Sequence, residues 1–584
     1  MCGVFASLDS PASPASGTEI DAALASLARR GPDDKGFLHL PGCSLGHTRL
    51  AIVDPTGGQQ PMSHPRTGLA LSYNGEVYNA PELRAALRSK GHTFKTRSDT
   101  EVVLAAFAET GPTCVASFEG MFAFALWDPR QACLYLVRDR MGEKPLFYSE
   151  TGDGRFVVAS EIKALIAAGV DPRVDPFALE HYLQWKYPPP DRTIYGNIHL
   201  VPPAHVLTVR DGRIEKTCYW RLPCEGSAAP SFDEAVEETG RLLSEAVKNR
   251  LTGDRPVGLS LSGGIDSTLL GAFATEAKGM PISSYTLRYR SGLDEGPAAL
   301  ISAAALGLLH TEVPLKDPIP DDLADLTAYL DQPHADTANL AQSMLCARAR
   351  NDVAVLLSGD GADELFYGYD WYSSPLKLAF RQERMTIFGT EERQALLSGD
   401  VSMSPDISDA RPEKALTVND VDFESYLRGQ LLPKADLLGM MHGVEVRAPF
   451  LDHRLVEFAR SLPPSLKTGR PPKPLLRSLL ARTRPDLSMG PKKQGFGAPI
   501  GTWLSKPTFT AFVHDTLSSG AKIRGLLEPK ALDRQLAACF SHPDRKNAYR
   551  IWLLLCLELW ASSRPTGSAA VNHAATHHPS SLRD

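Results

Sequence analysis

The sequence predicts two domains, an N-terminal α+β sandwich followed by an α/β domain built around a parallel sheet. The chain has 584 residues, which is more than one hydrophobic core usually organises. About the first 210 residues are rich in short β-like runs, whereas residues after 232 alternate apolar strands with helices. We therefore expect one domain at 2–215, a linker at 216–232, a second domain at 233–562 and a disordered tail at 563–584.

Short apolar runs separated by Gly and Pro characterise the first half. SLGHTRLAIV, LALSYNGEVYN, MFAFALWD and CLYLVRD are typical of strands, while APELRAALRSK and TEVVLAAFAET are typical of helices. This mixture favours helices packed on sheets over a doubly wound sheet.

The second half begins after the proline cluster YPPPD (187–191) and the polar segment LPCEGSAAPS (222–231). An amphipathic helix, FDEAVEETGRLLSEAVKNRL, precedes the buried strand PVGLSL. Strands such as ISSYTLRY and DVAVLL then alternate with helices such as STLLGAFATEA. Strands separated by helices pair in parallel, so this half predicts an α/β domain.

The composition predicts a soluble cytoplasmic protein. A formal net charge of -6 gives no electrostatic reason to expect a nucleic acid or an anionic membrane as partner. The nine cysteines form no disulfide or zinc framework, which suits a reducing compartment. The N-terminus lacks a signal-peptide pattern, and the longest apolar run, IWLLLCLELW, is broken by Glu558 and predicts a buried helix.

The strongest local motif is LSLSGGIDSTLL, residues 259–270, in which an apolar strand leads through Ser262, Gly263 and Gly264 into a helix. The glycines allow a tight turn that approaches a phosphate, and the helix N-terminus attracts anions. Ser267 adds a hydroxyl donor, and Asp266 suits an anion site only if it holds a cation such as Mg²⁺. A capped glycine turn would explain the helix start but not the whole set.

A second strand, in VAVLLSGDGADELFYGY (353–369), leads into Ser358, Gly359, Asp360, Asp363 and Glu364. Open parallel sheets bind ligands at the carboxyl ends of their strands. Three carboxylates within five residues repel one another unless a metal or an acid–base role offsets the repulsion. A solvated acidic turn is the alternative interpretation.

The pair S-G-G-I-D-S and L-S-G-D-G-A-D-E resembles the synthetase domain of glutamine-hydrolysing asparagine synthetases. MMHGVEVRAPFLDHRLVEFA (440–459) and KKQGFGAPIGTW (492–503) resemble further blocks of that family, so the resemblance covers nearly the whole chain except the tail. It implies a C-terminal PP-loop adenylating domain. It also implies an N-terminal-nucleophile glutaminase, a four-layer αββα domain of the type-2 glutamine amidotransferases.

The first half carries the motifs that this resemblance requires, namely RGPDDKG (30–36), GHTRLAIVD (46–54), YNGEVYN (73–79) and TRSDTE around Asp99. Cys2 would become the N-terminal nucleophile once Met1 is removed, with its freed α-amine moving the proton. Asn74 and Gly75 would donate to the oxyanion.

Arg49 would pair with the α-carboxylate of glutamine, and Glu76 and Asp99 with its α-ammonium. Read alone, Arg49 could form a surface ion pair, Asn74-Gly75 a hairpin turn, and Asp99 a cap for a helix near Glu101. The glutamine-binding set implied by the family is Arg49, Leu50, Ala51, Ile52, Val53, Asn74, Gly75, Glu76 and Asp99.

For the second site the resemblance implies the co-substrate ATP with Mg²⁺. Asp266 and Asp363 would hold Mg²⁺-pyrophosphate, and Asp360 would serve adenylate formation or ammonia deprotonation. Lys493 would neutralise the adenylating phosphate, although the adjacent Lys492 is an alternative. The ATP-binding set is Leu261, Ser262, Gly263, Gly264, Asp266, Ser267, Leu287, Ser358 and Gly359.

The resemblance implies that glutamine, a carboxylic acid and ATP give an amide, glutamate, AMP and PPi, with β-aspartyl-AMP as the expected intermediate and asparagine as the product. Ammonia cannot displace oxide from a carboxylate, so the acid is first adenylated. The resemblance allows a homodimer without fixing the oligomeric state.

Two blocks depart from the family pattern. LDQPHADT (330–337) has Gln332 for Glu and Thr337 for Ser, while LPKADLLGMMHG (432–443) has Leu437 for a basic residue and Gly439 for Ser. These changes keep open a dedicated amidotransferase for another acid, in secondary-metabolite or surface-polysaccharide biosynthesis. A β-lactam-forming relative without glutaminase activity and a non-catalytic protein are disfavoured, because both catalytic sets are present.

Overall fold

The computed structural model describes residues 1–9, 15–289, 294–316, 320–373, 377–397, 417–487, 499–542 and 544–564. Lys492 and Lys493 lie outside the described residues, as does the predicted disordered tail from residue 565 onward. The fold class predicted from the sequence is confirmed, as the following elements show.

The first half consists of antiparallel strands with helices on both sides. Its strands are β1 (Gly3–Leu8), β2 (Asp34–Leu40), β3 (Cys43–Arg49), β4 (Met62–Ser63), β5 (Ala70–Val77), β6 (Gly120–Asp128), β7 (Cys133–Arg138), β8 (Phe147–Glu150), β9 (Phe156–Ala159), β10 (His199–Leu200), β11 (His205–Arg210) and β12 (Arg213–Cys218). Its helices are α1 (Gly17–Ser26), α2 (Ala80–Ser89), α3 (Asp99–Thr110), α4 (Ile162–Ala167) and α5 (Pro176–Trp185), with a 3-10 turn at Gly111–Ser117.

Two sheets pack face to face within the described part of this half, in the orders β10-β8-β9-β1-β3-β2 and β12-β11-β7-β6-β5-β4. Strand alternation sends Val4 and Ala6 of β1 between the sheets, where they join Ala125 and Leu136. Phe5, between them in sequence, packs outward into the core shared with α1 and α4. Helix α3 covers the other sheet, which gives the four layers of an αββα sandwich.

The second half is helical around a short parallel sheet. Its strands are β13 (Val257–Ser260), β14 (Ser283–Arg288), β15 (Leu309–Pro314), β16 (Val355–Leu357) and β17 (Glu445–Arg447). Its helices are α6 (Phe232–Arg250), α7 (Ile265–Lys278), α8 (Gly296–Leu306), α9 (Pro320–Tyr329), α10 (Asn339–Ala349), α11 (Ala362–Phe366), α12 (Lys377–Met385), α13 (Thr390–Leu397), α14 (Val418–Val421), α15 (Leu432–Met441), α16 (His453–Ser461), α17 (Pro464–Lys467), α18 (Pro474–Thr483), α19 (Ile500–Leu504), α20 (Pro507–Thr516), α21 (Pro529–Ser541) and α22 (Arg545–Ser562). A π-helix, Asp422–Leu431, joins α14 to α15, and 3-10 turns occupy Asp370–Ser373, Pro449–Leu451 and Lys522–Gly525.

The described strands of this sheet follow the order β15-β14-β13-β16-β17 and all pair in parallel. The central strands β13 and β16 therefore end side by side, which brings the loops 261–264 and 358–361 to one edge. Parallel sheets bind ligands at this edge.

The predicted linker at 216–232 lies between a strand and a helix. Strand β12 continues to Cys218, because it pairs with β11 along its whole length. Helix α6 begins at Phe232 with Ser231 as its cap, and the Glu234 side chain accepts from the Ser231 backbone N–H in a capping box.

The apolar segment IWLLLCLELW lies within α22, as predicted, and its Glu558 is buried. The Glu558 carboxylate accepts the backbone N–H groups of Lys522 and Ile523 at 3.1 and 2.8 Å, which satisfies the charge. Across the described residues, no helix combines the length and apolarity needed to cross a membrane.

Gly120 illustrates how closely β5 and β6 approach. A Cβ added at Gly120 would lie 2.0 Å from the carbonyl oxygen of Glu76, whereas one added at Gly152 meets nothing within 4 Å. We predict that Gly120→Ala lowers the free energy of unfolding by about 1–3 kcal/mol, because the strands must separate. Urea denaturation checks this with Gly152→Ala as control, and equal midpoints for the two variants would contradict it.

Candidate functional site

Cys2 immediately precedes β1 and is buried, with 7% of its surface exposed. Its backbone N–H donates to Asn74 Oδ1 at 2.8 Å, and its thiol points at the carbonyl oxygen of Leu50, 4.0 Å away. Burial raises the pKa of the Cys2 thiol, while the N-terminal ammonium and Arg49 oppose that shift. Strands β1 and β5, which lie in the two different sheets, thus hold Cys2 beside Asn74.

Asn74 and Gly75 lie inside β5 rather than in a hairpin turn. Asn74 Nδ2 is buried and meets no acceptor in the part of the chain that the structure describes, so it is a donor suited to an incoming oxygen. A Cβ at Gly75 would lie 2.2 Å from the carbonyl oxygen of Met121 in β6. Only glycine therefore lets the strand run this close to its neighbour beside Cys2.

Arg49 is the last residue of β3, and its guanidinium holds the loop that follows. It donates to the carbonyl oxygens of Val53, Asp54 and Pro55 at 3.0, 2.8 and 3.0 Å. Arg49 is 5% exposed and is not a surface ion pair. Arg49, which is itself predicted to bind glutamine, thus also holds the loop that contains the other predicted glutamine-binding residues Leu50, Ala51, Ile52 and Val53.

Asp99 is the first residue of α3, but Ser98 supplies the helix cap, since its hydroxyl accepts from the Thr100 N–H. The Asp99 carboxylate instead accepts from the hydroxyl of Tyr73 at 2.6 Å and from the backbone N–H of Val77 at 3.0 Å. Burial raises the pKa of Asp99, and these hydrogen bonds oppose the rise. Asp99 therefore faces β5, beside Asn74, Gly75 and Glu76.

Arg30, within the RGPDDKG motif, is a residue to which sequence reasoning gave no role. Its Nε donates to the carbonyl oxygen of Cys2 at 3.0 Å, and its Nη1 lies 3.0 Å from Glu161 and 2.8 Å from Asp436. Asp436 belongs to the second domain, so the backbone of Cys2 is fixed by a contact between domains. Only the motif match pointed to this arginine.

At the second site, the loop after β13 forms a compact turn. Gly263 has a φ of 70°, and a Cβ there would lie 2.4 Å from the backbone of Ala298, so this position requires glycine. The hydroxyls of Ser262 and Ser267 lie 3.0 Å apart, and Ser262 Oγ accepts from the Gly264 N–H at 3.2 Å. Helix α7 starts directly afterwards, so its N-terminus faces the same edge.

The loop after β16 meets this turn. A Cβ at Gly359 would lie 3.3 Å from Cβ of Asp266, so the two predicted phosphate loops are in contact. The Ser358 hydroxyl donates to Asp360 at 2.7 Å. Leu261 and Leu287 are both 1% exposed behind these loops. The structure thus brings together the predicted ATP-binding residues of both strands.

Lys473, which the sequence did not single out, joins the two predicted metal ligands. Its Nζ lies 2.6 Å from Asp266 and 2.6 Å from Asp363, so both carboxylates converge on one point. Burial would lower the pKa of Lys473, but the two carboxylates raise it. Lys473 has a φ of 59° just before α18, and neither its spacing nor its neighbours marked it in the sequence.

The convergence of two carboxylates fits Mg²⁺, which binds through one or two carboxylates and completes its shell with water and phosphate oxygens. Among the described residues, no three His, Cys, Asp or Glu side chains are grouped to hold a metal alone. The site therefore suits a cation that arrives with a phosphate.

The departures from the family pattern have structural roles here. Gln332 Oε1 accepts from the backbone N–H of Ile194 in the first domain at 2.7 Å. A Cβ at Gly439 would lie 2.5 Å from the carbonyl oxygen of Val444, so a serine could not fit without a shift. Thr337 is buried, and Leu437 packs against the hydrophobic core.

Asp336 belongs to the same block as Gln332, residues 330–337. It accepts from Lys434 Nζ and Gln430 Nε2, each at 2.9 Å.

Two family models match the chain. The family described as "Glutamine amidotransferase domain" matches residues 1–220, and the family described as "Asparagine synthase" matches residues 238–562.

Similar proteins span nearly the same length. The chain is 30% identical to asparagine synthetase (glutamine-hydrolyzing) 1 of Bacillus subtilis (strain 168), over 92% of each chain. It is 32% identical to asparagine synthetase (glutamine-hydrolyzing) 3 of that organism, over 87% of this chain and 89% of the relative. It is 27% identical to a Penicillium rubens protein named amidase chyE, over 93% of this chain and 96% of the relative.

We predict that Lys473→Met lowers the free energy of unfolding by about 2–4 kcal/mol, because it leaves two carboxylates facing each other. Millimolar MgCl₂ should then raise the thermal midpoint of the variant more than that of the wild type, since the cation replaces the ammonium. Lys467→Met is the matched control. Lys467 is also buried, but its ammonium pairs with Glu225, at 2.5 Å, and not with Asp266 or Asp363. The same Mg²⁺ response in both variants would contradict a cation site at Asp266 and Asp363.

Proposed function

The chain belongs to the family of glutamine-hydrolysing asparagine synthetases, ligases that use glutamine as amide donor, and we propose that it converts aspartate to asparagine through β-aspartyl-AMP. One observation carries the proposal. Strand β17 contacts both sites, because Arg447 Nη2 lies 3.4 Å from Glu76 Oε2 while the Arg447 carbonyl accepts from the Ser358 N–H at 2.9 Å. A strand that contacts both a glutamine-cleaving site and a phosphate site suits an enzyme that carries out two consecutive reactions.

In the first reaction, the Cys2 thiolate attacks the side-chain amide carbon of glutamine. Asn74 Nδ2 and the Gly75 N–H would stabilise the oxyanion, and the α-amine freed by removal of Met1 would pass the thiol proton to the leaving ammonia. The thioester formed on Cys2 is then cleaved by water to release glutamate. Arg49 would hold the substrate carboxylate, with Glu76 and Asp99 on its ammonium.

In the second reaction, the acceptor carboxylate attacks the α-phosphorus of ATP and pyrophosphate leaves. Ammonia then attacks the acyl-adenylate carbon, the amide forms and AMP leaves, while Asp360 would take the proton from the attacking nitrogen. Asp266 and Asp363 would hold Mg²⁺, which would neutralise charge on the pyrophosphate. Lys473, which lies 2.6 Å from each of these carboxylates, would add positive charge beside them. Lys493 is proposed for the α-phosphate on the motif match alone.

The two proposed activities are assigned to the two domains in their order along the chain. We assign the glutaminase to 2–215, the linker to 216–232 and the adenylating domain to 233–562, which agrees with the order of the two family matches.

A second candidate is a dedicated amidotransferase for another carboxylic acid. Two observations favour it. Gln332 is engaged in a contact with Ile194 of the first domain, and the side chain of Leu437 carries no charge that could pair with an acidic substrate. The resemblance to a relative named as an amidase is compatible with it.

We predict that Cys2→Ala abolishes glutamate release from glutamine, a loss of about three orders of magnitude or more, because the nucleophile is gone. Amide synthesis from free ammonia should persist, since the second site is untouched. The control is Cys114→Ala, because Cys114 is also buried but lies in the 3-10 turn Gly111–Ser117, outside the predicted glutamine-binding set. Glutaminase activity retained by Cys2→Ala would refute the assignment.

A panel of carboxylic acids identifies the acceptor. With ATP, Mg²⁺ and ammonia, we expect aspartate to elicit stoichiometric pyrophosphate and asparagine, because its β-carboxylate is the group to be adenylated. Pyrophosphate release with a different acid, and none with aspartate, would favour the second candidate. If no acid in the panel elicited pyrophosphate, adenylation itself would be refuted.

A further inference from the structure

Strand β17, within the block 440–459, has side chains that the reactions above do not use. Strand alternation points Glu445 and Arg447 to the same side. That side faces the first domain, where Arg447 Nη2 lies 3.4 Å from Glu76 Oε2 and Glu445 Oε2 lies 3.0 Å from the Met1 ammonium. The second domain thus delivers a charged pair into the glutamine site.

Arg447 is rigidly held by its own domain. It is fully buried, its Nη1 donates to the carbonyl oxygens of Arg250 and Thr252 at 2.8 and 2.6 Å, and its Nε donates to Glu445 at 2.6 Å. Nη2 remains for Glu76. A guanidinium fixed by three bonds on one domain can define the position of a carboxylate on the other.

Glu76 needs such a partner. Burial raises its pKa well above the ordinary value, Asp99 and Glu445 raise it further, and Arg447 and the N-terminal ammonium oppose them. Burial would also raise the pKa of Glu445, but the N-terminal ammonium and Arg447 lower it to about 2. A neutral Glu76 would bind an ammonium poorly, so the cation beside it bears on its use as a binding group.

We propose that Arg447 is a positioning residue of the glutaminase site, supplied by the adenylating domain, which orients the Glu76 carboxylate toward the α-ammonium of glutamine. The proposal rests on the proposed function, in which Glu76 binds that ammonium. The block 440–459 lies outside the phosphate loops at 262–267 and 358–364, and the proposal gives this block a role in glutamine recognition.

The test compares glutamine with glutaramate, which lacks the α-amino group, as substrates for glutaminase activity of the full-length chain. In Arg447→Gln we expect the preference for glutamine, expressed as the ratio of kcat/KM values, to fall about ten-fold or more, chiefly through KM, because Glu76 loses its buried partner. Arg447→Lys keeps a cation and should restore most of the preference. Glu76→Gln should lose the preference as Arg447→Gln does.

Arg454→Gln is the matched control, since Arg454 lies in the same block and also reaches a carboxylate of the first domain, Glu119, at 3.7 Å. We expect it to leave the preference unchanged.

The pH profile gives a second readout. Removing the cation raises the pKa of Glu76, so the acidic limb of kcat/KM for glutamine should move to higher pH in Arg447→Gln and stay in place in Arg454→Gln. Asp99, Glu445 and the Cys2 thiol face the same site but are common to both variants, so the difference reports on the Arg447 charge.

Three outcomes would overturn the proposal. One is an unchanged preference and acidic limb in Arg447→Gln, with Glu76→Gln impaired. Another is loss of ammonia-dependent pyrophosphate release in both Arg447 variants, which would show a purely structural role. A third is absence of glutamate release by the wild type, which would refute the proposed function itself and is thereby distinguished from the other two.

Discussion

A buried network of ion pairs at the junction of the two domains is the constraint on which both sites depend. Arg30 is fully buried, and its guanidinium contacts the backbone carbonyl of Cys2 and the carboxylates of Glu161 and Asp436. Leaving one member of such a buried set without its partner costs about 3–5 kcal/mol. Glu161 of the first domain and Asp436 of the second therefore share the charge of Arg30 beside Cys2. Lys144 adds a further contact, 3.5 Å from the same Asp436.

Much of the fold and both loops could be predicted because each depends on contiguous residues. The strand–glycine–helix order at 259–270 predicts a phosphate-type turn, and the short apolar runs separated by Gly and Pro in the first half predict its strands. The alternative readings of the N-terminal motifs could not be decided locally. Asn74 and Gly75 satisfy the rules for a hairpin turn, yet the pairing of β5 with β6 places them within a strand. Tertiary pairing outweighed the turn propensity.

The missed residues share one property, which is that their partners are distant in the sequence. Lys473 is separated by more than a hundred residues from Asp363 and by 207 from Asp266, and Arg447 is separated by 371 residues from Glu76. Periodicity and spacing describe neighbours on one element, so they give no signal for a lysine or arginine that completes a site on another. Only the topology of the sheets and the junction between domains reveals such residues.

The junction also bears on how the two reactions are linked. Apolar side chains of similar volume often stabilise a buried interface as well as ion pairs do, so stability alone does not account for these charges. Arg447 offers a different reason: its carbonyl accepts from Ser358 in the phosphate loop, while its guanidinium reaches Glu76. The charges at this junction therefore join the proposed glutamine site to the proposed phosphate site through one residue of β17.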